Sequence, residues 1–176
     1  MQNTKPNILI IGMPLSGKST IGKCLGKKLR INFDDLDEFI EKKTKESIYR
    51  IIKKYGEQKF RVFETTYFKE IIKTRKEQHI LALGGGTVHA NCFSLFNNYS
   101  IRIWLKSNID TLVNRHENSN NKRPLLDSSN IKSYLENLYS IRKKIYQEHS
   151  NLCIEVDNKS VQLITNEIAN KINEKN

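Results

Sequence analysis

Residues 12 to 19 read Gly12-Met13-Pro14-Leu15-Ser16-Gly17-Lys18-Ser19, a G-x-x-x-x-G-K-[ST] spacing set directly after the apolar run Ile8-Leu9-Ile10-Ile11. Gly12 and Gly17 allow backbone conformations closed to other residues, so successive N–H groups can turn inward on a phosphate anion. Lys18 is then placed to reach the β- and γ-phosphates, and the Ser19 hydroxyl to ligate Mg²⁺. A helix over 18–29 aims its positive dipole end at the same anion. The bland alternative is a glycine-containing turn that binds nothing; a strand before the motif and a helix after it argue against that.

A second cluster, Asp34-Asp35-Leu36-Asp37-Glu38, follows a predicted strand. Four acids in five residues repel one another, and a nearby cation would relieve them. Asp35 and Asp37 alternate with Leu36, so in extended geometry they share a side and face the site together. Capping of the next helix explains one of the four well and all four badly. Further on, Gly84-Gly85-Gly86 ends a strand, where close backbone approach and free N–H donors suit a ligand. Arg61, Arg123 and Arg142 stand out because the chain otherwise prefers lysine, 22 Lys against 8 Arg. Their forks grip carboxylate or phosphate with paired hydrogen bonds. Three forks exceed the needs of one triphosphate and imply a second anionic group, a carboxylate on the acceptor.

The elements that must carry these groups alternate along the chain. Strands are predicted over 7–12, 31–34, 79–83, 100–105 and 152–156. Helices are predicted over 18–29, 36–45, 47–54, 58–74, 109–115, 129–149 and 161–173. This alternation predicts an α/β fold: a central five-stranded parallel sheet covered by helices on both faces, with ligands beyond the carboxyl ends of the strands. At 176 residues the chain reads as one domain. The polar segment 116–122 reads as a loop, and with Arg123-Pro124-Leu125-Leu126 it predicts a mobile lid over about 116–126.

Composition bounds the function class. The chain is 38% hydrophobic and 28% charged, and no apolar run reaches the ~20 residues of a membrane span. The first strand begins too early for a signal peptide. Cys24, Cys92 and Cys153 are scattered, Cys24 on a helix and Cys153 in a strand core, which predicts reduced thiols in the cytoplasm. The net charge of +11 raises nucleic acid as a partner. Lysines mixed with glutamates on amphipathic helices, without a recognition motif, predict a solvated surface instead.

The ordered series GMPLSGKST, DLDEFIE, GEQKFRVFE, LALGGGTV, KRPLL and IRKKIY resembles shikimate kinase, from Ile8 to about Val156. The resemblance implies a P-loop kinase using ATP and Mg²⁺ to phosphorylate the 3-hydroxyl of shikimate in aromatic amino acid biosynthesis, acting as a cytoplasmic monomer. It implies that Gly12 and Leu15 to Thr20, thus Ser16, Gly17, Lys18 and Ser19 among them, wrap the ATP phosphates. Ser19 would sit on Mg²⁺, and Asp35 would support the metal through water. Asp37 would bind the shikimate hydroxyls and accept a proton. Arg61, Arg142 and the backbone of Gly84, Gly85 and Gly86 would hold the rest of shikimate, with Glu64 orienting Arg61. Arg123 would meet the transferring phosphoryl, and Arg115 would pack against adenine. Lys144 stands where the family usually has proline, and the stretch 115–123 is about one residue longer. No proline accompanies Asp157-Asn158-Lys159-Ser160, where relatives often flank adenine.

Other small-molecule kinases of this build, for gluconate or nucleoside monophosphates, are the nearest rivals. A nucleoside monophosphate kinase needs a base-reading pocket for its acceptor, of which the sequence gives no sign. A GTP switch would need N-K-x-D, which is absent. A nucleic-acid module would show salt-sensitive binding to arbitrary duplex without turnover.

Overall fold

The structure is a computed structural model that describes residues 7–118 and 130–174. Five parallel strands form one sheet in the order β2-β3-β1-β4-β5. They are β1 (Ile8–Gly12), β2 (Asn32–Asp35), β3 (His79–Ala82), β4 (Ile101–Lys106) and β5 (Leu152–Glu155). The helices are α1 (Lys18–Leu29), α2 (Leu36–Thr44), α3 (Ile48–Thr74), α4 (Ala90–Phe93), α5 (Ile109–Glu117), α6 (Ile131–His149) and α7 (Val161–Asn173).

Side-chain alternation along the strands sorts the core into two layers. Ile8, Ile10, Ile80, Ile103 and Leu105 face α1 and α7, through Ile21, Leu25, Ile164 and Ile168. Leu9, Ile11, Leu81 and Trp104 face the other way, onto Leu36, Phe68, Leu112, Leu135 and Tyr146 from α2, α3, α5 and α6. Every residue of β1 is buried, as a central strand covered on both sides requires. The expected three-layer α/β/α architecture is therefore the observed one.

The two helices predicted over 47–54 and 58–74 are both observed, joined end to end as α3 across a non-helical kink at Gly56. There φ is 81° and ψ 162°, values that glycine reaches without a Cβ penalty. The sequence reading missed α4 and the 3₁₀ turn Ser94–Asn98 that follows it. Two expectations need correcting. His116 and Glu117 do not open a loop: they are the last residues of α5, and His116 is buried. Cys153 lies in β5, as predicted, but is exposed, because β5 is the sheet edge. The helix predicted over 129–149 is observed as α6, which runs unbroken past Lys144. Arg123, residues 119–126 of the expected lid and Ser129 lie outside the described residues. Among the described residues no helix is long and apolar enough to cross a membrane.

Candidate active site

A cavity of about 410 Å³ opens at the carboxyl ends of β1, β2 and β3. Lys18, Ser19 and Thr20 line it from the first turn of α1, whose N-cap is Gly17 at φ 91°. Lys18 is buried, and its ammonium donates to Gly12 O at 3.0 Å and Met13 O at 2.7 Å. The loop thus holds the cation before a phosphate does. Gly12 contributes through this carbonyl and does not itself line the cavity. Ser16 is fully buried; its backbone N–H donates to Met13 O at 3.2 Å, and its hydroxyl has no partner among the described residues.

The acidic cluster divides its work. Asp34 takes a two-point grip from Arg75, at 2.6 and 2.7 Å, and Glu38 pairs with Lys23 at 2.6 Å. These basic side chains, not a bound cation, relieve two of the four acids. Asp35 caps α2, accepting from Asp37 N at 2.9 Å through Oδ1, while Oδ2 accepts from Ser19 Oγ at 2.5 Å. Asp35 and Asp37 both line the cavity. They do not share a side by strand alternation: Asp35 ends β2 and Asp37 sits in the first turn of α2, so the cap brings them together.

On the neighbouring wall, the three consecutive glycines are each crowded by a different residue, Asp37, Pro14 and Arg61 in turn. A Cβ on Gly84 would run into the Asp37 carboxylate, and one on Gly86 into the Arg61 guanidinium. A Cβ on Gly85 would lie 2.7 Å from Pro14 Cγ, and the Gly85 carbonyl accepts from Arg142. Glycine is required here for space, a signal beyond the N–H donors that the triplet offered in sequence. Tyr146 O–H also reaches Gly85 O, at 3.5 Å. Burial pushes the Tyr146 pKa up to about 12, with Arg142 pulling weakly the other way, so the phenol stays a donor.

Arg61, on α3, donates to Glu64 at 2.7 Å and to Glu57 at 2.5 Å. Burial alone would lower its pKa; the two carboxylates outweigh burial and raise it, so the fork stays charged. Arg115 lines the cavity and donates to Leu15 O at 3.0 Å, where Leu15 adopts φ 68°. Ile21 and Val161 supply apolar wall nearby. Val161 and Thr87, which donates to Glu64 at 2.5 Å, were not singled out in sequence. A valine opening a helix and a threonine after a glycine turn carry no signal of their own.

The geometry is therefore a glycine-rich loop and helix N-terminus beside a turn where one carboxylate and two guanidinium forks converge. The family model for shikimate kinase matches residues 14–173. A shikimate kinase of Wigglesworthia glossinidia brevipalpis is 34% identical over 171 residues, covering 96% of each chain. A solved shikimate kinase of Acinetobacter baumannii, in complex with shikimate, superposes with a TM-score of 0.90 at 30% identity over 98% of this chain and 95% of that one. A gluconokinase of Sinorhizobium meliloti, at 12% identity and a TM-score of 0.66 over 98% of this chain and 94% of that one, shares the fold alone.

Proposed function

Since the chain belongs to the shikimate kinase family, we propose that its site moves the γ-phosphoryl group of ATP to the 3-hydroxyl of shikimate by the division of labour that follows. The activity itself, phosphorylation of shikimate on the route to aromatic amino acids, comes with the family. The finer assignments, residue by residue, are supported by the geometry of the described residues, except that of Arg123, which rests on the family resemblance alone.

Leu15 to Thr20 and the α1 N-terminus take the triphosphate, with backbone N–H groups and the helix dipole directed at its oxygens. Lys18 exchanges its two loop carbonyls for phosphate oxygens as the nucleotide enters. Arg115 and Val161 flank the adenine, Val161 doing what proline does in relatives. Ser19 Oγ and Asp35 Oδ2 are hard oxygen donors 2.5 Å apart, one neutral and one anionic. Mg²⁺ would be held there by Ser19 Oγ, with Asp35 supporting it through water. When bound, the ion neutralises charge on the phosphate chain.

Arg61 and Arg142 hold the shikimate carboxylate, and Asp37 orients the 3-hydroxyl. As the hydroxyl oxygen forms its bond to the γ-phosphorus, Asp37 takes the proton and the bond to the β-phosphate bridging oxygen breaks, releasing ADP. Positioning and charge neutralisation carry most of such a transfer. Arg123 is assigned the developing charge on the moving group. Replacing it with alanine should lower kcat by ~10²-fold or more with little change in the shikimate KM. An unchanged kcat removes that role. The working form is proposed to be a cytoplasmic monomer.

The single observation that carries the reading is the glycine turn, whose three residues abut Asp37, Arg142 and Arg61 in succession. A coupled assay with ATP, Mg²⁺ and shikimate tests it, with gluconate as the competing acceptor. Turnover on shikimate and none on gluconate is expected; preference for gluconate would overturn the acceptor assignment.

A further inference from the structure

Behind the two arginine forks lies a buried contact that phosphoryl transfer itself does not use. Glu64 is 1% exposed, and its two carboxylate oxygens serve different elements. Oε2 takes the Arg61 guanidinium at 2.7 Å, while Oε1 takes the Thr87 hydroxyl at 2.5 Å. Thr87 is fully buried, and its backbone N–H donates to Gly84 O at 3.1 Å, closing the turn that carries Gly85 and Gly86. The same turn engages Arg142 through the Gly85 carbonyl. One small residue therefore ties α3, which carries Arg61, to the turn against which Arg142 of α6 is docked.

We propose that Thr87 is a positioning residue for the acceptor carboxylate: its hydroxyl fixes the orientation of Glu64, and so sets the spacing of the Arg61 and Arg142 forks. The proposal rests on the assignment of those two arginines to that carboxylate.

The physics lies in what the carboxylate does when one oxygen is released. The terminal torsion of glutamate is broad and weakly directed, so a carboxylate bonded at one oxygen is free to turn. A second partner is waiting: His89 Nε2 stands 3.6 Å from Glu64 Oε2, on the oxygen Arg61 uses. With the Thr87 hydroxyl in place, both oxygens are committed and the charge-assisted bond to Arg61 keeps its direction. Without it, the buried Oε1 is left unpaired, and rotation toward any new donor draws Oε2 away from Arg61. Small misplacements of a clamp are expensive in binding and orientation.

Thr87→Val keeps the shape and removes only the hydroxyl. Steady-state kinetics with shikimate and ATP varied separately, alongside thermal unfolding, read the effect. The shikimate KM should rise about tenfold, the scale of leaving a buried acceptor unpaired, with the ATP KM and kcat within about threefold of the parent. Thr87→Ser should restore most of the loss, and in a Glu64→Gln background Thr87→Val should add little. An unchanged shikimate KM, equal rises for both substrates, or a Thr87→Ser variant as impaired as Thr87→Val would overturn the proposal. Should Thr87→Val not fold, Thr87→Ala removes the hydroxyl without adding bulk and is read by the same split. Arg61→Ala separates the two layers. If it raises the shikimate KM and the hydroxyl variants do not, the role of Thr87 falls alone. If Arg61→Ala leaves that KM unchanged, the carboxylate assignment falls and takes this proposal with it.

Discussion

Arg61 is held by two carboxylates that differ in their access to water. Glu57 is 67% exposed and Glu64 is 1% exposed. A pair that reaches solvent contributes little, whereas stripping a buried pair of one partner leaves a charge uncompensated. Glu57→Gln should therefore leave the shikimate KM within about twofold. Glu64→Gln should raise it about tenfold or more, because Arg61 loses the partner that aims it. Equal effects would mean that burial does not decide which acid orients the fork. Arg61→Lys should be nearly as damaging to that KM as Arg61→Ala, since an ammonium cannot bind a carboxylate at two points. In sequence the arginines were visible because they break a lysine habit. Glu64 came with the family resemblance as the partner of Arg61, but Thr87 did not, because it looks like any turn residue until folding brings positions 23 apart into contact.

Elements were legible where a period ran long enough to read. Strands buried on both faces and helices of two or more turns announced themselves by apolar spacing. The gap between the helices predicted over 47–54 and 58–74 falls where Gly56 bends α3. The segment 90–98 escaped because a four-residue helix followed by a 3₁₀ turn is too short to display a period. The end of α5 was misread because Glu117 and His116 are polar, although His116 packs inward. The start of α5 holds another relation invisible in sequence. Its N-cap residue, Asn108, makes no side-chain cap. Asp157, some fifty positions later, supplies the acceptor instead: it takes Asn108 N at 2.9 Å and Ser107 Oγ at 2.7 Å. Burial would raise the Asp157 pKa, but bonds from Ser107, Thr111 and Asn108 N, together with Arg115, hold it below the usual range. A depressed folded pKa means stability present above about pH 4 and lost as acid protonates the folded carboxyl. Asp157→Ala should lower Tm by roughly 3–6 °C, the scale of a lost cap in a chain this size. Because α5 carries Arg115, it should also raise the ATP KM more than the shikimate KM. A variant with unchanged Tm and ATP KM would show that α5 is held by packing alone.

Across the whole molecule, a net charge of +11 sets 30 cationic against 19 acidic side chains. Like charges repel in the compact state, and added salt screens them over a Debye length of about 8 Å at physiological ionic strength. Raising salt at constant pH should therefore raise Tm. A second, unscreened source of acid sensitivity lies inside the sheet. His79 opens β3 with its Nε2 2.9 Å from the Tyr99 hydroxyl, and both side chains are buried. Burial depresses the His79 pKa; a backbone carbonyl at Glu77 and the charge of Asp34 pull upward, and less. Burial also pushes the Tyr99 phenol up, so it remains protonated throughout the range of interest. The neutral imidazole is the folded form, and an unfolded histidine takes up its proton near pH 6.5. Stability from this site is full above that value and declines as pH falls toward the depressed folded pKa. Between pH 7.5 and 5.5 the parent should lose Tm at both low and high salt, at about 2–4 °C per kcal/mol of linkage. His79→Phe, which fills the site without a titrating group, should lose less over the same interval at high salt. If the two proteins decline in parallel there, the acid sensitivity belongs to the surface charge and not to this buried ring.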